Sequence, residues 1–183
     1  KTLFFLLVLF SLISLPFAYH LLKPYQQSRL TSFVNPYFDP SGAGYNVIQS
    51  VIAVGSGNFL GRGVRQGTQS HLRFLPERHT DFAFASFAEE FGFVGVSLLL
   101  AGFYLLLNWL LNLCHKLPAY ENFVVIGVFW LFLSQLMINV GMNLGILPVT
   151  GITLPFVSYG GSSIISLFIT LGIVFSFLKL TKS

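Results

Sequence analysis

Of the chain's 183 residues, 54% are hydrophobic, 21 of them Phe, and only 9% are charged, where a soluble domain carries about 25%; an ordinary water-solvated fold is excluded and a bilayer is the expected solvent. The formal net charge of +4 gives no reason to expect a nucleic-acid partner, because basic groups in so apolar a chain meet lipid phosphate. Cys114 is the single cysteine, which excludes an internal disulfide and gives no basis for a cysteine metal cluster.

A spanning helix needs about 20 mostly apolar residues. The first such stretch runs from Thr2 to Leu22. Its basic start and apolar middle also fit a secretory signal peptide, but the apolar run continues through Tyr19 and three further segments follow, so a span is the expectation. The chain opens on Lys1 and directly into this run, which reads as the C-terminal part of a longer protein. A long loop then covers Lys23 to Asp81, punctuated by Pro24, Pro36, Pro40 and many glycines. Within it "YNVIQSVIAV" sets Tyr45, Ile48 and Ile52 at helical spacing, predicting a short apolar helix that cannot span. The second span is predicted over Phe82 to Leu113, the third over Phe123 to Leu147 and the fourth over Ser162 to Leu180, with short connections at Asn112–Asn122 and Pro148–Gly161. The fold class is therefore an all-α polytopic membrane protein: four spans and one large loop carrying short helices. Six of the ten basic residues (Lys23, Arg29, Arg62, Arg65, Arg73, Arg78) lie in that loop, against Lys1, Lys116, Lys179 and Lys182 on the other side. The positive-inside rule weights charges near span ends, so it leaves the orientation open.

The chemistry-bearing residues crowd around the second span. "FLPERHTDF" packs Glu77, Arg78, His79 and Asp81 against its edge. Glu89 and Glu90 follow about two and a half turns later. A carboxylate inside a bilayer costs on the order of 2.5–3.5 kcal/mol, so these two should face other helices or a wet cavity. Asp81 sits where water meets lipid. Apolar walls would raise its pKa and basic neighbours would hold it ionised, a balance that suits a general base; the plainer reading is a helix N-cap. His79 reads as a polar interface residue. In "GSGNFLGRGVRQGTQSHLRF" five glycines interleave with Arg62, Arg65 and Arg73. No GK[ST] follows, so it is not a P-loop; it reads either as a diphosphate cradle of backbone N–H groups and guanidinium forks or as a turn-rich loop with solvated cations. Further on, Asn139 and Asn143 lie one helical turn apart, as do Gly141 and Gly145, a pattern for close helix contact and interhelical hydrogen bonds. "SYGGSS", with Ser158, offers either free N–H groups to an anion or tight packing.

Together these stretches resemble the SEDS family (shape, elongation, division and sporulation proteins). "LKPYQQSRL", "NPYFDPSGAGYNVIQSVIAVGSGNFLGRGVRQGTQSHLRFLPERHTDFAFASFAEEFGFVG" and "NVGMNLGILPVTGITLPFVSYGGSS" look like its large extracytoplasmic loop, the span after it and its C-terminal signature. "LKPYQ" and "GSGNFLGRGVRQGTQS" look more like the RodA branch than the FtsW branch. The departures are Ala83, where a bulkier residue is common, and Asn58, where glycine is common. The resemblance implies a multi-pass protein of the bacterial cytoplasmic membrane that polymerises lipid II, an undecaprenyl-diphosphate disaccharide-pentapeptide, outside the membrane and beside a class B penicillin-binding protein. It implies that Asp81 is the essential aspartate and that the loop faces outward. That loop carries six basic residues less Asp39, Glu77 and Asp81, or +3, a charge that would draw a diphosphate. The expected mechanism is inverting: Asp81 takes the proton of the acceptor hydroxyl, which displaces undecaprenyl diphosphate from the donor sugar. Arg62, Arg65, Arg73 or Arg78 would steady the leaving group, Glu77 and His79 would help hold the substrate, and a divalent cation could share the task although no ligand cluster points to one. A lipid II transporter and a non-catalytic scaffold are the alternative readings.

Overall fold

The computed structural model describes residues 21–38, 42–71, 74–75, 77 and 79–178. Nearly all of the first predicted span, and Arg73 and Arg78, lie outside the described residues. Among the described residues the chain is all-helical: α1 (Pro24–Val34), a 3₁₀ turn (Pro36–Phe38), α2 (Ala43–Ser56), α3 (Thr68–His71), α4 (Ala83–Cys114), α5 (Ala119–Asn143) and α6 (Gly161–Phe177). Proline at the first position of α1 fixes a helical φ where no N–H partner is needed.

Two helices, α4 and α5, are long and apolar enough to cross a membrane, and α6 is a shorter apolar helix. The third predicted span is displaced by one turn: α5 starts at Ala119 and stops at Asn143 rather than Leu147. It stops there because Gly145 turns into the left-handed region at φ 71°, and the N–H groups of Ile146 and Leu147 fold back onto the Gly141 carbonyl at 2.8 and 3.1 Å. At one end α4, α5 and α6 pack around Leu110, Leu113, Val125, Phe132, Leu167 and Val174. Elsewhere their outer faces stay exposed and apolar, with Leu98, Tyr104, Trp130, Phe168 and Ile169 uncovered. Helices apolar on all sides need lipid or further helices as neighbours. Two more clusters tie α4 to the loops: Ala53 and Leu75 against Phe82 and Ala85, and Phe84 with Phe103, Leu136 and Leu154.

The long loop is spliced into α4. At Gly92 the backbone leaves helical geometry (φ 62°, ψ −163°). An unbroken helix would bond the Phe93 and Val94 N–H groups to the Glu89 and Glu90 carbonyls. Instead Phe93 and Val94 donate to the Asn58 and Phe59 carbonyls at 2.9 and 3.1 Å, and Arg62 and Gly63 donate to the Glu89 and Glu90 carbonyls at 2.9 and 3.0 Å. The Phe93 and Val94 N–H groups and the Glu89 and Glu90 carbonyls, which the break frees, are thus paired again. Only glycine permits the approach. A Cβ on Gly57 would overlap the Ala88 carbonyl oxygen, one on Gly61 the Glu90 carbonyl oxygen, and one on Gly92 the Gly61 nitrogen. Asn58 holds φ 47°, a left-handed conformation that asparagine tolerates better than most residues, which accounts for an asparagine where glycine is common.

The expected second span, Phe82 to Leu113, matches α4 to within one residue at each end, and the break divides it at Gly92. Phe93 to Cys114 alone extends about 33 Å at 1.5 Å per residue, enough to cross. Glu89 and Glu90 lie on the N-terminal side of the break, and their carboxylates bond the loop.

Candidate functional site

Asp81 lies in the turn before α4. The expected N-cap is corrected: Phe82 holds that position and no side chain caps it. The orphan N–H of Ala85 in the first turn is taken instead by Asn143 Oδ1, reaching over from α5 at 3.1 Å. Ser50 Oγ donates to the Asn143 backbone carbonyl at 2.8 Å and lies 3.3 Å from the same Oδ1. With its oxygen so committed, Asn143 turns Nδ2 toward acceptors: the Asp81 carbonyl at 3.1 Å and the Asn139 carbonyl at 2.8 Å. Asn139 donates to the same Asp81 carbonyl at 3.2 Å and to the Ile152 carbonyl at 2.7 Å. Both asparagines are fully buried.

The two preceding carbonyls are held by the loop after α5. Ser158 Oγ donates to the Thr80 carbonyl at 2.6 Å and accepts the Leu154 N–H at 2.8 Å. The Tyr159 N–H donates to the His79 carbonyl at 2.7 Å. On the other side of the turn, the N–H groups of Thr80 and Phe82 both donate to the Glu77 carbonyl, at 3.1 and 3.2 Å. Thr80 Oγ1 donates to the Glu77 carboxylate at 3.0 Å.

The Asp81 carboxylate faces the turn that follows Val149. A Cβ on Gly151, which sits at φ 77°, would come within 3.4 Å of Asp81 Oδ2. Arg29 of α1 anchors this turn by donating Nη1 to the Val149 carbonyl at 3.1 Å. Burial pushes the Asp81 carboxyl above its ordinary 3.8, the Glu77 charge pushes it further, and the Arg29 guanidinium pulls it back.

A cleft of about 760 Å³ opens beside the turn. Arg65, His79, Ser86, Glu90 and Tyr159 give it a polar wall, and Phe87, Phe91, Phe156 and Ile164 an apolar one. His79 and Ala83, on either side of Asp81 in the chain, both line it, while Asp81 itself is not part of the wall.

The other predicted residues separate. Arg62 is spent on its own loop, with Nε on the Ser56 carbonyl and Nη1 on Thr68 Oγ1, each at 3.1 Å. Arg65 gives its N–H to Glu90 Oε1 at 3.2 Å. Three N–H groups of the supposed cradle, those of Arg62, Gly63 and Arg65, are therefore already bonded within the chain. Glu89 is fully buried; its Oε1 accepts the Gln69 N–H at 2.9 Å, with the Ser56 and Thr68 hydroxyls at 3.4 Å. Among the described residues the cation that acts on Asp81 is Arg29, which sequence reasoning counted only as loop charge. No spacing rule links it to Asp81; α1 and the Val149 turn bring it there. Among the described residues no three His, Cys, Asp or Glu side chains gather as a metal site.

Residues 1–183 match the model of the cell cycle protein family that comprises FtsW, RodA and SpoVE. The chain belongs to this family, the SEDS family. The SEDS match runs through the Asp81 turn and through the residues that clamp it. Among curated SEDS relatives, the peptidoglycan glycosyltransferase MrdB of Escherichia coli is 48% identical over 86% of this chain and 43% of its own length. The peptidoglycan glycosyltransferase RodA of Treponema pallidum is 47% identical over 85% of this chain and 36% of its own. Stage V sporulation protein E of Bacillus subtilis is 44% identical over 82% and 41%. The chain thus spans about two fifths of the relatives it matches. A chain of a solved peptidoglycan synthase complex, described as coordinating polymerization and crosslinking, aligns with a TM-score of 0.67 and 42% identity, covering 93% of this chain and 47% of that one. A mutant of the rod shape determining protein RodA of Thermus thermophilus aligns with a TM-score of 0.51 and 33% identity over 72% and 46%.

Proposed function

We propose that the full-length protein is a peptidoglycan glycosyltransferase of the RodA branch, polymerising lipid II during cell elongation, and that Asp81 is its general base. The observation that carries this reading is the setting of Asp81. It is a partly buried carboxylate in the turn before α4, raised by burial and by Glu77, with its own carbonyl and the two before it fixed by hydrogen bonds. A base works best with a pKa brought toward ambient pH, and fixed geometry lowers the entropy of attack. Asp81 takes the proton of the acceptor sugar's 4-hydroxyl; the oxygen attacks the donor's anomeric carbon and undecaprenyl diphosphate leaves with its bonding electrons. One displacement turns an α donor bond into a β product bond, so no covalent sugar–enzyme intermediate is needed. The neighbouring cleft, polar on one wall and aromatic on the other, suits a lipid-linked sugar. Arg29 and Arg65 are the described cations placed to steady the diphosphate charge.

On this reading the long loop faces outward from the bacterial cytoplasmic membrane, and the partner is a class B penicillin-binding protein that crosslinks the new strands. The names of the relatives support the glycosyltransferase reading, and the aligned synthase complex, which coordinates polymerization and crosslinking, supports a crosslinking partner. The test is to supply detergent-solubilised full-length protein, with its partner, with lipid II and look for glycan chains. Chain growth is expected. A transporter needs two membrane sides and a scaffold makes no bond, so lipid II left unpolymerised under conditions where the partner is folded would favour those readings.

A further inference from the structure

The turn before α4 holds three consecutive carbonyls, of His79, Thr80 and Asp81, none of which belongs to a helix. In an exposed turn water would satisfy them. Here each is held by a different group from the C-terminal part of the chain: the Tyr159 N–H, the Ser158 hydroxyl, and the paired amides of Asn139 and Asn143. Two donors converge on the Asp81 carbonyl alone. The Asn143 side chain also bonds the first turn of α4, so one amide links the start of that helix to the residue two positions before it. The hydrogen bonds of Thr80 and Phe82 to Glu77 close the turn on its remaining side. The backbone that carries the Asp81 carboxylate therefore has no direction left in which to drift.

We propose that Asn139, Asn143 and Ser158 are positioning residues for Asp81: they touch no reacting atom, but they fix the backbone that sets the carboxylate against the Gly151 turn. The inference rests on Asp81 being the base. The physical warrant is the steepness of proximity effects, since a displacement of about 1 Å can cost on the order of 100-fold in rate.

The test is a double-mutant cycle in the full-length protein with its partner, measuring kcat and KM for lipid II and normalising to folded enzyme. Ser158→Ala removes one hydroxyl and Asn139→Leu one amide of similar volume. Each is expected to lower kcat about 10- to 100-fold with KM within about twofold. In an Asp81→Asn background, each is expected to add less than about threefold, because positioning acts only through the carboxylate. A merely structural role would instead lower the folded yield, leave kcat per folded molecule unchanged, and act equally in both backgrounds; either of the last two results overturns the proposal. Should Asn139→Leu fail to fold, Ser158→Ala carries the test alone, since it removes a single atom. If Asp81→Asn polymerises at the wild-type rate, the base assignment falls and the positioning roles fall with it. If Asp81→Asn is inactive while Ser158→Ala matches wild type, the base stands and only the positioning roles are lost.

Discussion

Of the segments of the long loop that meet α4, two are held by opposite means. The glycine-rich turn at residues 57–63 is held backbone to backbone, through four hydrogen bonds exchanged across the break at Gly92. The Asp81 turn is held largely by side chains, through Asn139, Asn143 and Ser158. The difference sets what each can tolerate. A backbone splice depends on the absence of Cβ atoms, so it fails sterically. A side-chain clamp depends on donors and acceptors, so it fails electrostatically and can lose activity before it loses fold. The first builds a platform and the second sets a reactive group upon it.

The largest effect on stability is expected at the splice. Gly61→Val places a β-branched side chain at φ 82° and into the Glu90 carbonyl, and should cost about 3–5 kcal/mol, read as lost folded yield or a lower unfolding temperature. A variant that keeps its stability but loses glycan synthesis would break the comparison, because the turn would then be catalytic and not architectural. Next is Glu89→Leu, which strands the partly buried Gln69 N–H and should cost about 1–3 kcal/mol, measured by thermal unfolding of the full-length protein in detergent. No loss would mean that the backbone exchange alone holds the loop.

The smallest effects should appear at the clamp's edge as shifts in pH dependence. Asp81 must be ionised to accept a proton, so activity rises as pH passes its pKa. Glu77 raises that pKa and Arg29 lowers it. Glu77→Gln should therefore move the acid limb of kcat/KM to lower pH, and Arg29→Gln should move it to higher pH. Shifts of the same sign for both variants would show that at least one of the two charges does not act on the base as assigned.

The length of the apolar runs made the apolar helices legible, because about twenty mostly apolar residues in a row have few alternatives; α4 and α6 start within one residue of expectation and α5 within about one turn. Gly92 was not legible. A single glycine in an apolar helical pattern is usually tolerated, and only the loop threaded beside it makes it a break. At the site, the residue types around Asp81 and the asparagine pair stood out in the sequence, but not their pairing. Spacing along one helix shows that Asn139 and Asn143 share a face, and it cannot show that a distant turn lies against that face. Arg29 was missed for the same reason, since its place beside Asp81 is set by α1 packing near the Val149 turn. Arg62 misled because its charge suggested a ligand, whereas its guanidinium closes its own loop.

The most direct test of Asp81 as the base is the rate of glycan-chain growth by purified full-length Asp81→Asn protein, with its partner and saturating lipid II. The expected result is a rate about 100- to 10,000-fold below wild type with lipid II binding retained. Chain growth at the wild-type rate would contradict the account.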